Sequence, residues 1–130
     1  LGINDMANIS NYISYMSDIA STLKSKNCKL FYMSVNPINS VMITKAGKGA
    51  RTEAQVREFN SKIRSGLSLN YKYIDTYSVL MKKGYGTNSS YSGTDAASDD
   101  GLHYTTKTFK RIYYYCITYL NTGSIDASIY

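Results

Sequence analysis

Cys28-Lys29-Leu30-Phe31-Tyr32-Met33-Ser34-Val35, closed by Asn36-Pro37, is the stretch whose reading decides the fold. Its apolar residues run with little alternation, which is how a parallel strand reads when both of its faces are covered. Upstream, Ile9, Tyr12, Ile13, Met16, Ile19, Ala20 and Leu23 recur at helical spacing and predict an amphipathic helix over residues 8–25. Downstream, residues 38–50 show no clear period and carry Gly47 and Gly49, so they read as a loop. A second helix is expected over residues 52–66, with Val56, Phe59, Ile63 and Leu67 on its apolar side and Gly66 as its terminator.

Tyr71-Lys72-Tyr73-Ile74-Asp75-Thr76 reads as a second strand, followed by a short helix over 77–83. Residues 84–101, rich in Gly, Ser, Thr, Asn and Asp, read as a long polar loop. A last helix is expected over 105–121, started by Thr105 or Thr106 and burying Phe109, Ile112, Tyr113, Cys116, Ile117 and Leu120. Residues 122–130 have no period and read as a linker or frayed end. Leu1-Gly2-Ile3 reads as the end of a further strand. The order is then β-α-β-α-β-α, that of a parallel α/β sheet. In such sheets functional groups collect at the carboxyl ends of the strands. Asn4-Asp5, Asn36-Pro37 and Asp75-Thr76 fall on that edge, and the turn before the last helix is expected to join them.

The chain has 130 residues, one domain's worth, and 43% are hydrophobic, enough to build a core. No apolar run reaches membrane-spanning length. The formal charge of +6 is spread along the chain, with Asp18, Glu53 and Glu58 among the cations. That is a solvated surface rather than a nucleic-acid face. Cys28 and Cys116 lie far apart without a Cys-x-x-Cys or a second histidine, which excludes a structural zinc site. Each sits in an apolar pattern and is expected as a buried free thiol. The 14 tyrosines include Tyr71, Tyr73, Tyr77, Tyr85, Tyr91 and Tyr104 as candidates for stacking on sugars. Half-buried packing with the hydroxyl in water is the favoured reading for most of them.

The chemistry concentrates at Ser98-Asp99-Asp100-Gly101-Leu102-His103-Tyr104, which holds the chain's 1 histidine. Gly101 permits a tight turn through left-handed dihedrals. The Asp100 carboxylate is then placed to accept Nδ1–H of His103, leaving Nε2 as a general base. Near the other end, Gly2-Ile3-Asn4-Asp5 puts a side-chain amide just past a strand end, where it can donate to a developing oxyanion. Taken alone, it reads better as an Asn-Asp turn that caps the next helix.

Together, Gly2-Ile3-Asn4-Asp5 and Asp100-Gly101-Leu102-His103 resemble the third and fifth conserved blocks of the SGNH (GDSL-type) hydrolases. Gly101-Leu102-His103-Tyr104 leading into a Tyr-rich helix is similar to the secreted or cell-surface esterases of this family from Firmicutes. The resemblance covers residues 1–121, with 122–130 as a tail. It implies a three-layer α/β/α, flavodoxin-like fold whose N-terminal strands are missing from this chain. It also implies a Ser-His-Asp esterase or acylhydrolase acting on acyl esters, acetyl groups on polysaccharide among them, without a cofactor. Asp100 and His103 carry over as acid and base, and Asn4 as the oxyanion donor, with Gly2 allowing close backbone approach. The departure is the nucleophile. No serine here lies in Gly-Asp-Ser or Gly-x-Ser-x-Gly, so Ser is expected upstream of this chain and the chain alone is expected to be inactive. An open sheet edge would then pair with that missing segment or with a second copy.

Two other readings stand beside this one. The chain is alternatively a non-catalytic carbohydrate-binding or interaction module on the same fold. More distantly, Asp95, Asp99, Asp100 and His103 suggest a metal-dependent phosphoesterase, although a catalytic metal usually draws its ligands from several strands.

Overall fold

The central apolar run forms β1 (Leu30–Met33), which pairs in parallel with β2 (Tyr71–Ile74), Leu30 opposite Tyr71 and Met33 opposite Ile74. The computed structural model describes residues 2–48, 51–67, 71–85 and 100–128. Among these residues the chain is a mixed α/β fold of five α-helices and a two-stranded parallel sheet. Side chains alternate across a strand, so the two sheet faces carry different residues. Tyr32 and Tyr73 stack on one face with ring centroids 6.1 Å apart.

Against that face pack α1 (Ile9–Ser25) and α3 (Glu53–Gly66), whose expected helical spans hold to within a residue. Tyr12 of α1 meets the Phe59 ring at 5.4 Å and hydrogen-bonds the Tyr32 hydroxyl at 3.0 Å. Val56, Phe59, Ile63 and Leu67 are all buried in this cluster, as their spacing predicts. The start of α3 is a capping box in which Thr52 and Gln55 each satisfy the other's backbone N–H. Gly66 has a role other than the expected terminator. It is still helical, and a Cβ there would stand 3.0 Å from the Ile13 side chain. Its missing side chain is what lets α1 approach α3.

The segment read as a loop contains a short helix, α2 (Ser40–Lys45). Its start is capped by Asn39, whose side chain accepts the Met42 N–H at 3.0 Å. A single buried contact, Ile43, was too little to register as a period. The next helix, α4 (Thr76–Lys82), is capped by Asp75, which accepts the Ser78 N–H at 3.0 Å.

The last helix, α5 (Thr106–Thr122), lies where it was expected, with Thr105 as its cap, but turned about its axis. It buries Thr108, Ile112 and Tyr115, not the Phe109-Tyr113-Leu120 stripe. Thr108 is tolerated inside because its hydroxyl lies 3.2 Å from the Tyr85 hydroxyl. Phe109 remains 53% exposed, Tyr113 60% and Leu120 47%, with Met33 of β1 at 39% nearby. This side of α5 meets the second sheet face through Tyr119 against Phe31, at 6.3 Å, and Cys116 Sγ against Met33 Sδ, at 3.6 Å.

Three smaller expectations are also corrected. Residues 2–5 form a turn rather than a strand end: Gly2 has φ +94° and Asp5 N–H closes on Gly2 O at 3.0 Å. Leu1 lies outside the described residues. Cys28 is exposed, because it follows the end of α1 instead of entering β1, whereas burial pushes the partly covered Cys116 thiol up from its ordinary pKa. After the αL glycine Gly123, the tail turns back, Asp126 N–H reaching Thr118 Oγ1 at 3.0 Å and Ile125 packing near Leu80. Of the tyrosines singled out, Tyr85 and Tyr104 are buried and Tyr71, Tyr73 and Tyr77 half-buried, so packing explains them. Tyr91 lies outside the described residues.

Candidate functional site

The segment before α5 forms the compact pair that its spacing predicts. Gly101 has φ +70°, and His103 Nδ1 stands 2.6 Å from Asp100 Oδ2. The other carboxylate oxygen, Oδ1, accepts the backbone N–H groups of Leu102 and His103, both at 2.9 Å. One carboxylate thus shapes the turn with one oxygen and orients the imidazole with the other. With Nδ1 facing the carboxylate, the imidazole keeps its proton on that side and Nε2 is the basic nitrogen. The side chain of His103 is 67% exposed, while that of Asp100 is mostly covered.

What holds this turn in place was not visible in the sequence. A Cβ on Gly101 would lie 2.6 Å from Asn39 O and 2.7 Å from Met42 Cβ. In return Asn39 N–H donates to Gly101 O at 2.9 Å. The turn is therefore pressed onto the start of α2, and only a glycine fits both the dihedral and the space. Tyr104 adds a second anchor by donating its hydroxyl to Pro37 O.

At the other end of the chain, Gly2 lies against the end of β1. A Cβ there would fall 2.6 Å from Val35 Cγ2 and 3.3 Å from the Phe59 ring. Asp5 does not cap the following 3₁₀ turn (Met6–Asn8) with its side chain; its carboxylate closes back on Gly2 N–H at 2.8 Å. The same turn places Asn4 at the surface, where Arg51 Nη2 donates to its Oδ1 at 3.3 Å. The amide oxygen is thus engaged, while the Asn4 amide nitrogen donates to no partner among the described residues.

Asn4, Asn36 and His103 line one cavity of about 350 Å³, walled by Ile3, Ile38 and Leu102 among others. Its position is the carboxyl end of β1, where functional groups of parallel sheets gather. The strand end is itself clamped by Asn60 of α3, which accepts Val35 N–H at 2.9 Å and donates to Val35 O at 2.8 Å. A side-chain amide so takes the place of a strand neighbour. Asn60 falls within the helix expected over 52–66, and nothing in its spacing marks this role.

Ser34 lines the same cavity but is fully buried. Its Oγ accepts Tyr77 N–H at 2.8 Å and lies 3.0 Å from Thr76 Oγ1, so it belongs to the framework and not to the reactive groups. Asp75, on the same edge, is engaged as the cap of α4. No cluster of metal-ligating side chains occurs among the described residues, and Asp95 and Asp99 lie outside them.

The assembled chemistry is an oriented imidazole base, an amide donor across the cavity, and apolar walls for an uncharged organic group. Comparison with protein-family models, with curated proteins and with solved structures finds no match to this chain.

Proposed function

We propose that the cavity at the end of β1 is the acid–base and oxyanion half of a serine esterase or acylhydrolase of the SGNH type. His103 is the general base, Asp100 orients it and balances the imidazolium that forms, and Asn4 donates to the carbonyl oxygen as it becomes negative. The observation that carries this reading is the Asp100–His103 contact at 2.6 Å opening on the same cavity as Asn4. The arrangement of helices against both faces of a parallel strand pair supports a three-layer, flavodoxin-like α/β/α domain.

In this reading the nucleophile comes from polypeptide outside these 130 residues. The serine lining the cavity, Ser34, is held in the framework, which favours a nucleophile from elsewhere. A strand bearing it would pair with the edge of β1 that meets no other strand among the described residues and cover Met33, Phe109, Tyr113 and Leu120, all of them exposed. Substrates are acyl esters, acetyl esters of carbohydrates among them.

The test is hydrolysis of a short-chain aryl acetate by this chain and by a longer parent polypeptide that includes it. The chain alone should be inactive. The parent should be active and lose about a thousandfold or more in kcat/KM on His103→Ala. A parent with full activity after that change would remove His103 from the mechanism. An inactive parent that still binds polysaccharide would make the cavity a binding site instead.

A further inference from the structure

Asn36 lines the cavity with Asn4 and His103, and a directed relay fixes which end of its amide faces the open space. Tyr77 N–H donates to Ser34 Oγ at 2.8 Å. Ser34 Oγ stands 3.0 Å from Thr76 Oγ1, and Thr76 Oγ1 donates to Asn36 Oδ1 at 2.7 Å. The Thr76 hydroxyl has one proton, and it goes to Asn36. The Ser34 hydroxyl therefore donates to Thr76, and every proton in the chain points toward Asn36. Ser34 and Thr76 are both fully buried, so no water competes for these positions. The amide oxygen is the relay's terminus, which leaves Nδ2 as the donor group of a side chain whose residue lines the cavity.

We infer that Asn36 is a substrate-binding and specificity-determining residue that donates from Nδ2 to an oxygen of the alcohol portion of the ester. The inference rests on the esterase reading above. Two side-chain amides, Asn4 and Asn36, each have their oxygen engaged by the protein, and neither amide nitrogen donates to a partner among the described residues. An ester has one carbonyl oxygen to stabilise, and Asn4 takes it. The second donor is satisfied only if the substrate carries a further acceptor, as the alcohol side of a sugar or polyol ester does. A plain alkyl or aryl ester would desolvate Asn36 without replacing its hydrogen bond, and an unmet buried donor disfavours binding. The site so selects esters of hydroxylated alcohols.

The experiment compares the longer parent polypeptide with its Asn36→Leu and Asn36→Asp variants on two substrates, an aryl acetate and a monoacetylated methyl hexoside. Asn36→Asp retains an acceptor for Thr76 but offers the substrate no donor. Thermal melts of both variants establish that they fold. Expected is a loss of about tenfold or more in kcat/KM on the hexoside acetate for both variants, with aryl acetate hydrolysis raised by Asn36→Leu, which removes the donor that an aryl ester leaves unmet. Equal losses on the two substrates would overturn the inference, because Asn36 would then act on the carbonyl or only support the fold. Unchanged hydrolysis of both would overturn it as well. A parent that hydrolyses neither ester removes the esterase reading and this inference together, whereas a His103-dependent parent with either of the former outcomes removes the inference alone.

Discussion

The two faces of the β1–β2 pair are built from similar materials and end in different states. On the Tyr32 face, α1 and α3 close over the sheet, and Val56, Phe59 and Ile63 lose essentially all contact with water. On the Phe31 face, α5 buries Ile112 and Tyr115 toward α4 but leaves Phe109, Tyr113 and Leu120 in solvent. Both helix sets are amphipathic, so helical pattern alone does not distinguish them. The difference is that α1 and α3 have each other as well as the sheet, with Gly66 letting them approach. These exposed apolar side chains are the surface that the proposed nucleophile-bearing segment would cover. The candidate site lies where the two regions meet, its cavity reaching from Val35, beside the closed side, to Phe109 on the open one.

The sharpest way to break this comparison is truncation on the closed face. Phe59→Ala removes a ring in contact with Tyr12 and Gly2. It should cost about 3–5 kcal/mol, read from the urea unfolding midpoint. Next in size is Gly101→Ala, which forces a Cβ into Asn39 O and Met42 at a left-handed dihedral. It should destabilise by about 2 kcal/mol and shift the His103 ring signals in NMR spectra, since the turn must lift off α2. Unmoved signals would mean that α2 does not position the imidazole.

The smallest expected effect belongs to the open face. Phe109→Ser with Leu120→Ser should change the stability of this chain by within about 0.5 kcal/mol per site, as exposed positions do. The pair should nevertheless abolish any concentration-dependent association in sedimentation velocity, and in the longer parent it should lower stability markedly. A loss in the isolated chain comparable to that of Phe59→Ala would show that the α5 face is already covered, and the contrast between the faces would fail.

Much of the fold was legible because local rules decide it. Helical spacing identified α1 and α3, a threonine cap placed the start of α5, and unbroken apolarity identified β1. The reading failed where a single contact decides. Six residues of α2 bury one side chain too few to show a period, and the rotation of α5 depends on a Tyr85 hydroxyl that lets Thr108 go inside. Gly2-Ile3 looked extended by composition, but the Asp5 carboxylate closes it into a turn. Of the site, Asp100 and His103 were legible because they are three residues apart and the turn between them is local. Asn4 was singled out as a donor, yet the contact that orients it comes from Arg51, remote in the chain.

What the sequence determined by itself is therefore the alternation of helix and strand and the Asp100–His103 turn, since both follow from interactions within a few residues. The tertiary structure alone decided that Asn4, Asn36 and His103 share one cavity, that α2 seats the turn, and that one face of α5 stays open. These depend on contacts between segments distant in the chain, where no local period records the partner.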